Sequence, residues 1–277
     1  MAIATLDQYI ASSKQRVRLC RTASRTSVAN IPFSIFDLAG DPGAGTLAGT
    51  STSAGVIPTG NTAGCPILNF TSGTGYLSKV EFANSVASRF NLFDMVWKAG
   101  AYAYTAGTTT LSGQPSVSGR CPDYIGTSSF GSGLEIWVEV STAFVTGTSW
   151  QVQVTYVNSA GIAGRSSVIS IAQAAAALTL GKTFMLALQA GDTGVQQISS
   201  VIVTNGGTAM TAGNFNVLLL RPLWTAGRVK IANDGDIHDM LKTGLPVIYN
   251  TSAFYLTIQA DSTATGLPEI VIEIASA

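Results

Sequence analysis

Hydrophobic and polar residues alternate along most of this chain with the two-residue period of strands that bury one face. In Gln151–Val157 the apolar Val152, Val154 and Tyr156 share a face, and Ile136, Val138 and Val140 alternate with Glu135, Trp137 and Glu139 in the same way. Such runs recur from Cys65 onward at the spacing of a sandwich: Leu77–Ala83, Phe90–Lys98, Leu134–Val140, Trp150–Val157, Ser167–Ile171, Thr183–Gln189, Ile198–Thr204 and Phe215–Leu223. Turns such as Asn158-Ser159-Ala160-Gly161 and Asn205-Gly206-Gly207 separate them. Eight strands joined by turns of uneven length predict an all-β fold, a jelly-roll-like antiparallel β-sandwich over residues 65–225. Ala172–Leu180 reads as a helical turn or a slack loop.

Both ends depart from that rhythm. Residues 1–40 read as an arm: an amphipathic helix over Thr5–Val17 with Thr5 as N-cap, then a basic segment, then one strand at Ile31–Phe36. Residues 41–64 belong to a stretch of Gly, Ala, Thr, Ser and Pro with too little apolar area to fold alone, and read as an extended loop lying on a surface. Residues 226–277 add a short helix over Asp236–Lys242, with Asp236 as N-cap and Gly244 beyond its end, and the strands Phe254–Gln259 and Glu269–Ile274. Those strands complete the sandwich, form a small lobe, or pair with a neighbouring subunit.

Composition sharpens the picture. Only 11% of the residues are charged, where about a quarter is usual, and the balance of fifteen basic and fifteen acidic groups is zero. Such a chain has no whole-molecule attraction for nucleic acid or anionic membrane, and little repulsion between copies. Five of the basic residues, Lys14, Arg16, Arg18, Arg21 and Arg25, nevertheless crowd into the arm, with no acid between Asp7 and Asp37. They are the candidate partner-binding residues. Without interleaved aromatics they fit an acidic protein patch better than sequence-specific nucleic acid, for which a steep salt dependence is the mark. The N-terminus lacks the apolar core of a secretory signal, and no run nears the roughly 18 apolar residues of a membrane span. A soluble product of a cytoplasm is expected, and no membrane partner.

Candidate chemistry is sparse. A hydrolytic triad has to use His238, the only histidine, and no Gly-x-Ser-x-Gly elbow supplies a nucleophile. Asp234, Asp236, His238 and Asp239 can be read as a cation cluster or as a turn before an N-capped helix; their spacing is not that of a calcium loop. Glu135 and Glu139 stand about 13 Å apart on a strand, too far for a carboxylate pair, and are expected to face solvent. No cofactor cradle and no paired cysteine ligands are present; a Cys65–Cys121 bridge is open to the chain, although nothing marks an oxidising compartment. The aromatics Trp97, Tyr102, Tyr104, Tyr124, Trp137, Trp150 and Trp224 read as core or subunit interface, or alternatively as a sugar-stacking platform.

The segments TLDQYIASSKQRV, IPFSIFDLAGDPGAGTLAG, RPLWTAGRVKIANDGDIHDM and GLPVIYNTSAFYLTIQ, set in a low-charge strand-rich body, resemble virion structural proteins of tailed bacteriophages, most of all capsid decoration or cement proteins. The resemblance implies a non-enzymatic protein without cofactors, assembled as trimers or dimers on a major capsid protein and located in the virion after synthesis in a host cytoplasm. The alternative is a carbohydrate-binding or other tail or head–tail component. No functional residue is carried over from the resemblance.

Overall fold

A computed structural model describes residues 3, 5–49, 51–70, 74–121 and 130–276, and its regular structure is nearly all strand, every strand pairing being antiparallel. In chain order the strands are β1 Ser13–Arg21, β2 Pro32–Ser34, β3 Gly40–Asp41, β4 Ser51–Val56, β5 Thr74–Asn84, β6 Ser88–Ala103, β7 Gly107–Thr110, β8 Glu135–Val145, β9 Trp150–Asn158, β10 Arg165–Ser166, β11 Thr183–Leu186, β12 Val195–Asn205, β13 Ala212–Val229, β14 Asp234–His238, β15 Val247–Tyr249, β16 Phe254–Ala260 and β17 Glu269–Ser276. Two short helices, α1 Leu6–Ala11 and α2 Met240–Thr243, accompany them.

The chain divides into two compact units, each gathered from distant segments: Met1–Thr46, Pro58–Asp94 and Pro222–Ala277 in the first, Leu47–Ile57 and Met95–Arg221 in the second. The division passes within β6 and β13. The linear segments 1–40, 41–64, 65–225 and 226–277 coincide with neither unit.

In the first unit a sheet of order β14-β5-β17-β1-β3 packs Val17, Leu19, Leu77, Phe82, Ile270 and Ile272 against Phe90, Leu92, Leu223, Leu256 and Ile258. The expected arm is therefore corrected: its basic segment is a strand within this sheet. A capping box between Thr5 and Gln8 starts α1, but the helix ends at Ala11, and from Ser13 to Cys20 the chain pairs with β17. The reason lies in the residues themselves, because Val17 and Leu19 alternate with Lys14, Arg16 and Arg18 at period two, and burial of that face outweighs helix propensity. The strands at residues 254–260 and 269–276 both belong to this unit, β16 pairing with β2 and β6 and β17 lying between β5 and β1. The helix expected over Asp236–Lys242 is likewise shorter. Residues 234–238 pair with β5, and Asp239, not Asp236, caps α2 by accepting from Leu241 N at 3.1 Å. Gly244 ends it in the left-handed region at φ 71°, as the sequence predicts.

In the second unit the sheet β10-β9-β12-β7 and the run β11-β8-β13-β6 of a larger sheet enclose one core. Val152, Val154 and Tyr156 meet Ile136, Val138 and Val140 there, and the Trp150 ring stacks edge-on to Phe215 at 5.0 Å. Two expectations change. Ser167–Ile171 is no regular strand: the hydroxyls of Ser167 and Ser170 accept from Val154 N at 3.0 Å and Val152 N at 2.9 Å, taking the place of ladder carbonyls. The Gly-rich stretch expected as a loop contains β3 and also β4, which pairs with β6. Ala172–Leu180 contains a single 3₁₀ turn at Ala175–Ala177.

Candidate functional site

The five basic candidates divide between the two faces of one strand and its extension. Lys14, Arg16 and Arg18 point outward from β1; Arg21 and Arg25 are buried. Each has a partner within the first unit. Lys14 Nζ donates to Tyr9 O at 3.0 Å and Ser12 O at 3.3 Å, neutralising the end of α1, and lies over the Tyr9 ring. Arg16 Nε is 3.4 Å from Glu273 Oε2, and Arg18 Nη2 is 2.5 Å from Glu269 Oε1. Arg21 donates to the carbonyls of Pro42 and Gly64, and Arg25 pairs with Asp37. The outer face of the sheet is thus a ladder of opposite charges between β1 and β17, and not a free cationic surface. Glu273 also accepts from Tyr9 OH at 3.2 Å and Ser78 Oγ at 3.2 Å, which ties α1 to the sheet. Beside the ladder runs a groove of about 350 Å³ lined by Glu81, Phe82, Asp236, Ile237, Glu269 and Val271.

His238 is tied into the same unit. Trp224 Nε1 donates to its Nδ1 at 3.0 Å, the ring packs edge-on to Phe82 at 5.2 Å, and Asp236 Oδ2 stands 3.6 Å from its Nε2. Asp234 and Asp236 turn their carboxylates to the amides of Gly235 and Ile237. Among the described residues no His, Cys, Asp and Glu side chains gather as metal ligands, and no helix is long and apolar enough to cross a membrane. Cys65 and Cys121 are not bridged: each is a thiol, Cys65 Sγ donating to Phe254 O at 3.6 Å and Cys121 Sγ to Val117 O at 3.3 Å. Trp97, Tyr102, Trp137, Trp150 and Trp224 are buried and Tyr104 partly so, which makes them packing residues and not a sugar platform. Tyr124 lies outside the described residues.

The second unit holds what the sequence did not announce. A cleft of about 410 Å³ is lined by Glu135, Met185, Leu186, Leu188, Asp192 and neighbouring residues. Burial pushes the Glu135 carboxyl above the ordinary range, while Trp137 Nε1 donates to it at 2.7 Å. Asp192 goes the other way. Arg165 Nε at 2.9 Å, then Tyr156 OH at 2.6 Å and Asn158 Nδ2 at 2.7 Å, hold its carboxyl down at about 2. With every near donor engaged, Asp192 acts as a structural anchor. Glu139, expected to face solvent, is wholly buried between Asn216 and Lys98. Next to the cleft the strap after β10 leaves Val168, Ile169 and Ile171 at 56%, 44% and 86% exposure, and Met185 on β11 at 51%. Val168 N donates to Ala187 O at 2.8 Å, which places strap and β11 side by side. The adjacent Val168-Ile169 pair breaks the period-two pattern, and that break is the one sequence sign of this surface.

No family model matches the chain, and no curated protein matches it. Solved structures that align with it include the infectious bursal disease virus Gx strain, at 9% identity and TM-score 0.23 over 95% of this chain and 80% of that one. The VP2 subviral particle of the same virus aligns at 10% identity and TM-score 0.20 over 95% and 81%. Dimeric latent PorU from Porphyromonas gingivalis aligns at 9% identity and TM-score 0.21 over 97% of this chain and 33% of that one. These likenesses are too weak to carry a fold or a function over to this chain.

Proposed function

We propose that the chain is a non-enzymatic structural protein of a virion, a decoration protein of the tailed-bacteriophage kind that seats copies of itself on the outside of a major capsid protein and stabilises the lattice. The observation that carries this reading is the apolar surface of the second unit, where Val168, Ile169, Ile171 and Met185 stand exposed along a strap and an edge strand of a low-charge chain. Contiguous exposed apolar residues mark surfaces that protein covers, and a chain of zero net charge adds little repulsion between copies. Many copies on a lattice turn individually weak contacts into strong retention. The carbohydrate-binding alternative draws no support from Trp97, Tyr102, Trp137, Trp150 and Trp224, which are packed inside.

Ile171→Asp together with Val168→Asp tests the reading. The double variant should keep the wild-type melting curve, because both side chains face outward, while light scattering shows smaller assemblies and purified particles carry less of the protein. A wild-type chain that is monomeric at high concentration and absent from purified virions overturns it.

A further inference from the structure

Three polar side chains meet out of water in the second unit, on the three neighbouring strands β8, β13 and β6. Glu139 and Asn216 are fully buried and directly opposed in the β8–β13 register, and the Lys98 side chain is 7% exposed. They lie on the side of β8 and β13 turned away from the core that holds Val138, Val140, Phe215 and Val217. A single oxygen joins them: Glu139 Oε2 accepts from Asn216 Nδ2 at 2.9 Å and stands 3.6 Å from Lys98 Nζ. Asn216 Nδ2 also donates to Leu47 O, while its Oδ1 finds no hydrogen-bond partner among the described residues. That carbonyl points at Gly100, where a Cβ would come within 2.1 Å of it.

An amine, a carboxamide and a carboxylate that touches both are the components of an acyl transfer. We propose that Lys98 and Asn216 form an intramolecular isopeptide bond, with Glu139 as the proton carrier. The Lys98 ammonium first passes a proton to Glu139, leaving two neutral groups, the state that a dry interior tolerates best. Glu139 is then a donor, and a half-turn of the Asn216 carboxamide presents Oδ1 to it. The free Nζ electron pair attacks Asn216 Cγ, a C–N bond forms, and the acid stabilises the oxygen that gains charge. Collapse of the tetrahedral carbon breaks the bond from Cγ to the original amide nitrogen. That nitrogen leaves as ammonium, carrying the two protons given up by Lys98, and Glu139 returns to its carboxylate. Nothing is oxidised or reduced, and no co-reactant is required. The fold supplies proximity, because the backbone ladder and the hydrogen bond to Leu47 O hold these buried groups together. The product staples β6 to β13.

The test is the intact mass of the purified full chain under denaturing conditions. The expected result is a deficit of one ammonia against the sequence mass, with a digest that yields one branched peptide joining Lys98 to Asn216. Lys98→Arg keeps a cation beside Glu139 but has no amine to acylate, and should restore the full mass. Asn216→Asp should show a deficit of one water in place of ammonia. Wild-type protein that melts cooperatively and has the full sequence mass overturns the proposal, leaving a plain buried ion pair. A deficit that persists in Lys98→Arg also overturns it, since ring closure at Asn205-Gly206 releases ammonia as well.

Discussion

Asp192 offers a measurable link between the second unit's hydrogen bonding and its stability. Its side chain is 3% exposed and accepts from Arg165, Tyr156 and Asn158 between 2.6 and 2.9 Å. The carboxyl is held at about 2 where 3.8 is ordinary. Each tenfold change in proton affinity corresponds to about 1.4 kcal/mol, so the ionised form contributes about 2 kcal/mol to the folded state. Because the folded value is the lower one, that contribution is complete above about pH 4 and is lost as pH falls through about 2. Asp192→Asn removes the charge and turns an amide toward three donors. Urea unfolding followed by tryptophan fluorescence suits the comparison, since Trp97, Trp137 and Trp150 all belong to this unit. At pH 7 the variant should lose about 2 kcal/mol or more, and the gap to wild type should narrow as both are taken toward pH 2. Parallel curves across that range, with a constant gap, would refute the assignment of the stability to this carboxylate.

Asp37→Ala leaves the buried Arg25 guanidinium without its partner and should cost about 3–5 kcal/mol in chemical denaturation, whereas Arg25→Met combined with Asp37→Leu should recover much of that loss. Gly227→Ala puts a Cβ within 1.8 Å of the Trp224 ring, which Phe82 and His238 hold in place; a loss of about 1–3 kcal/mol is expected, read from the thermal melt. Deleting residues 1–21 removes β1 from between β17 and β3, so limited proteolysis should digest the first unit, where a detachable arm would have left it intact.

Strand positions were legible because period-two alternation states directly which side chains a sheet can bury. Trp150–Val157 and Phe254–Gln259 each fall one residue short of the strand the structure contains. What alternation does not carry is the covering of a second face. Glu139 sits among Ile136, Val138 and Val140 at the spacing of a solvent-facing residue, and nothing local distinguishes it from one that is covered. The Asn216 amide that donates to it also donates to the Leu47 carbonyl, which comes from the distant Gly- and Ser-rich stretch and leaves no mark on the local pattern. The same stretch escaped recognition as strand because Ser, Gly and Ala have weak strand preference, and β4 owes its place to its pairing with β6.

The basic segment shows the converse limit, where a strong local signal leaves out the partners that the fold brings from elsewhere. Five cations without an intervening acid look like a surface waiting for an anionic partner, and along the chain that is so. The acids that answer Arg16 and Arg18, Glu273 and Glu269, lie about 250 residues downstream and are brought opposite β1 only by the β1–β17 register. A run of like charge therefore says that counter-charges are required, and sheet topology decides whether they come from the same chain. In this fold Lys14 directs its donors to the carbonyls of Tyr9 and Ser12, while Arg16 and Arg18 keep one side toward solvent with their charges already answered. A partner that used them would have to compete with Glu269 and Glu273, so it would gain little per contact in physiological salt. Among the described residues the exposed apolar strap of the second unit meets no such competitor, and for that reason the proposed function rests on it.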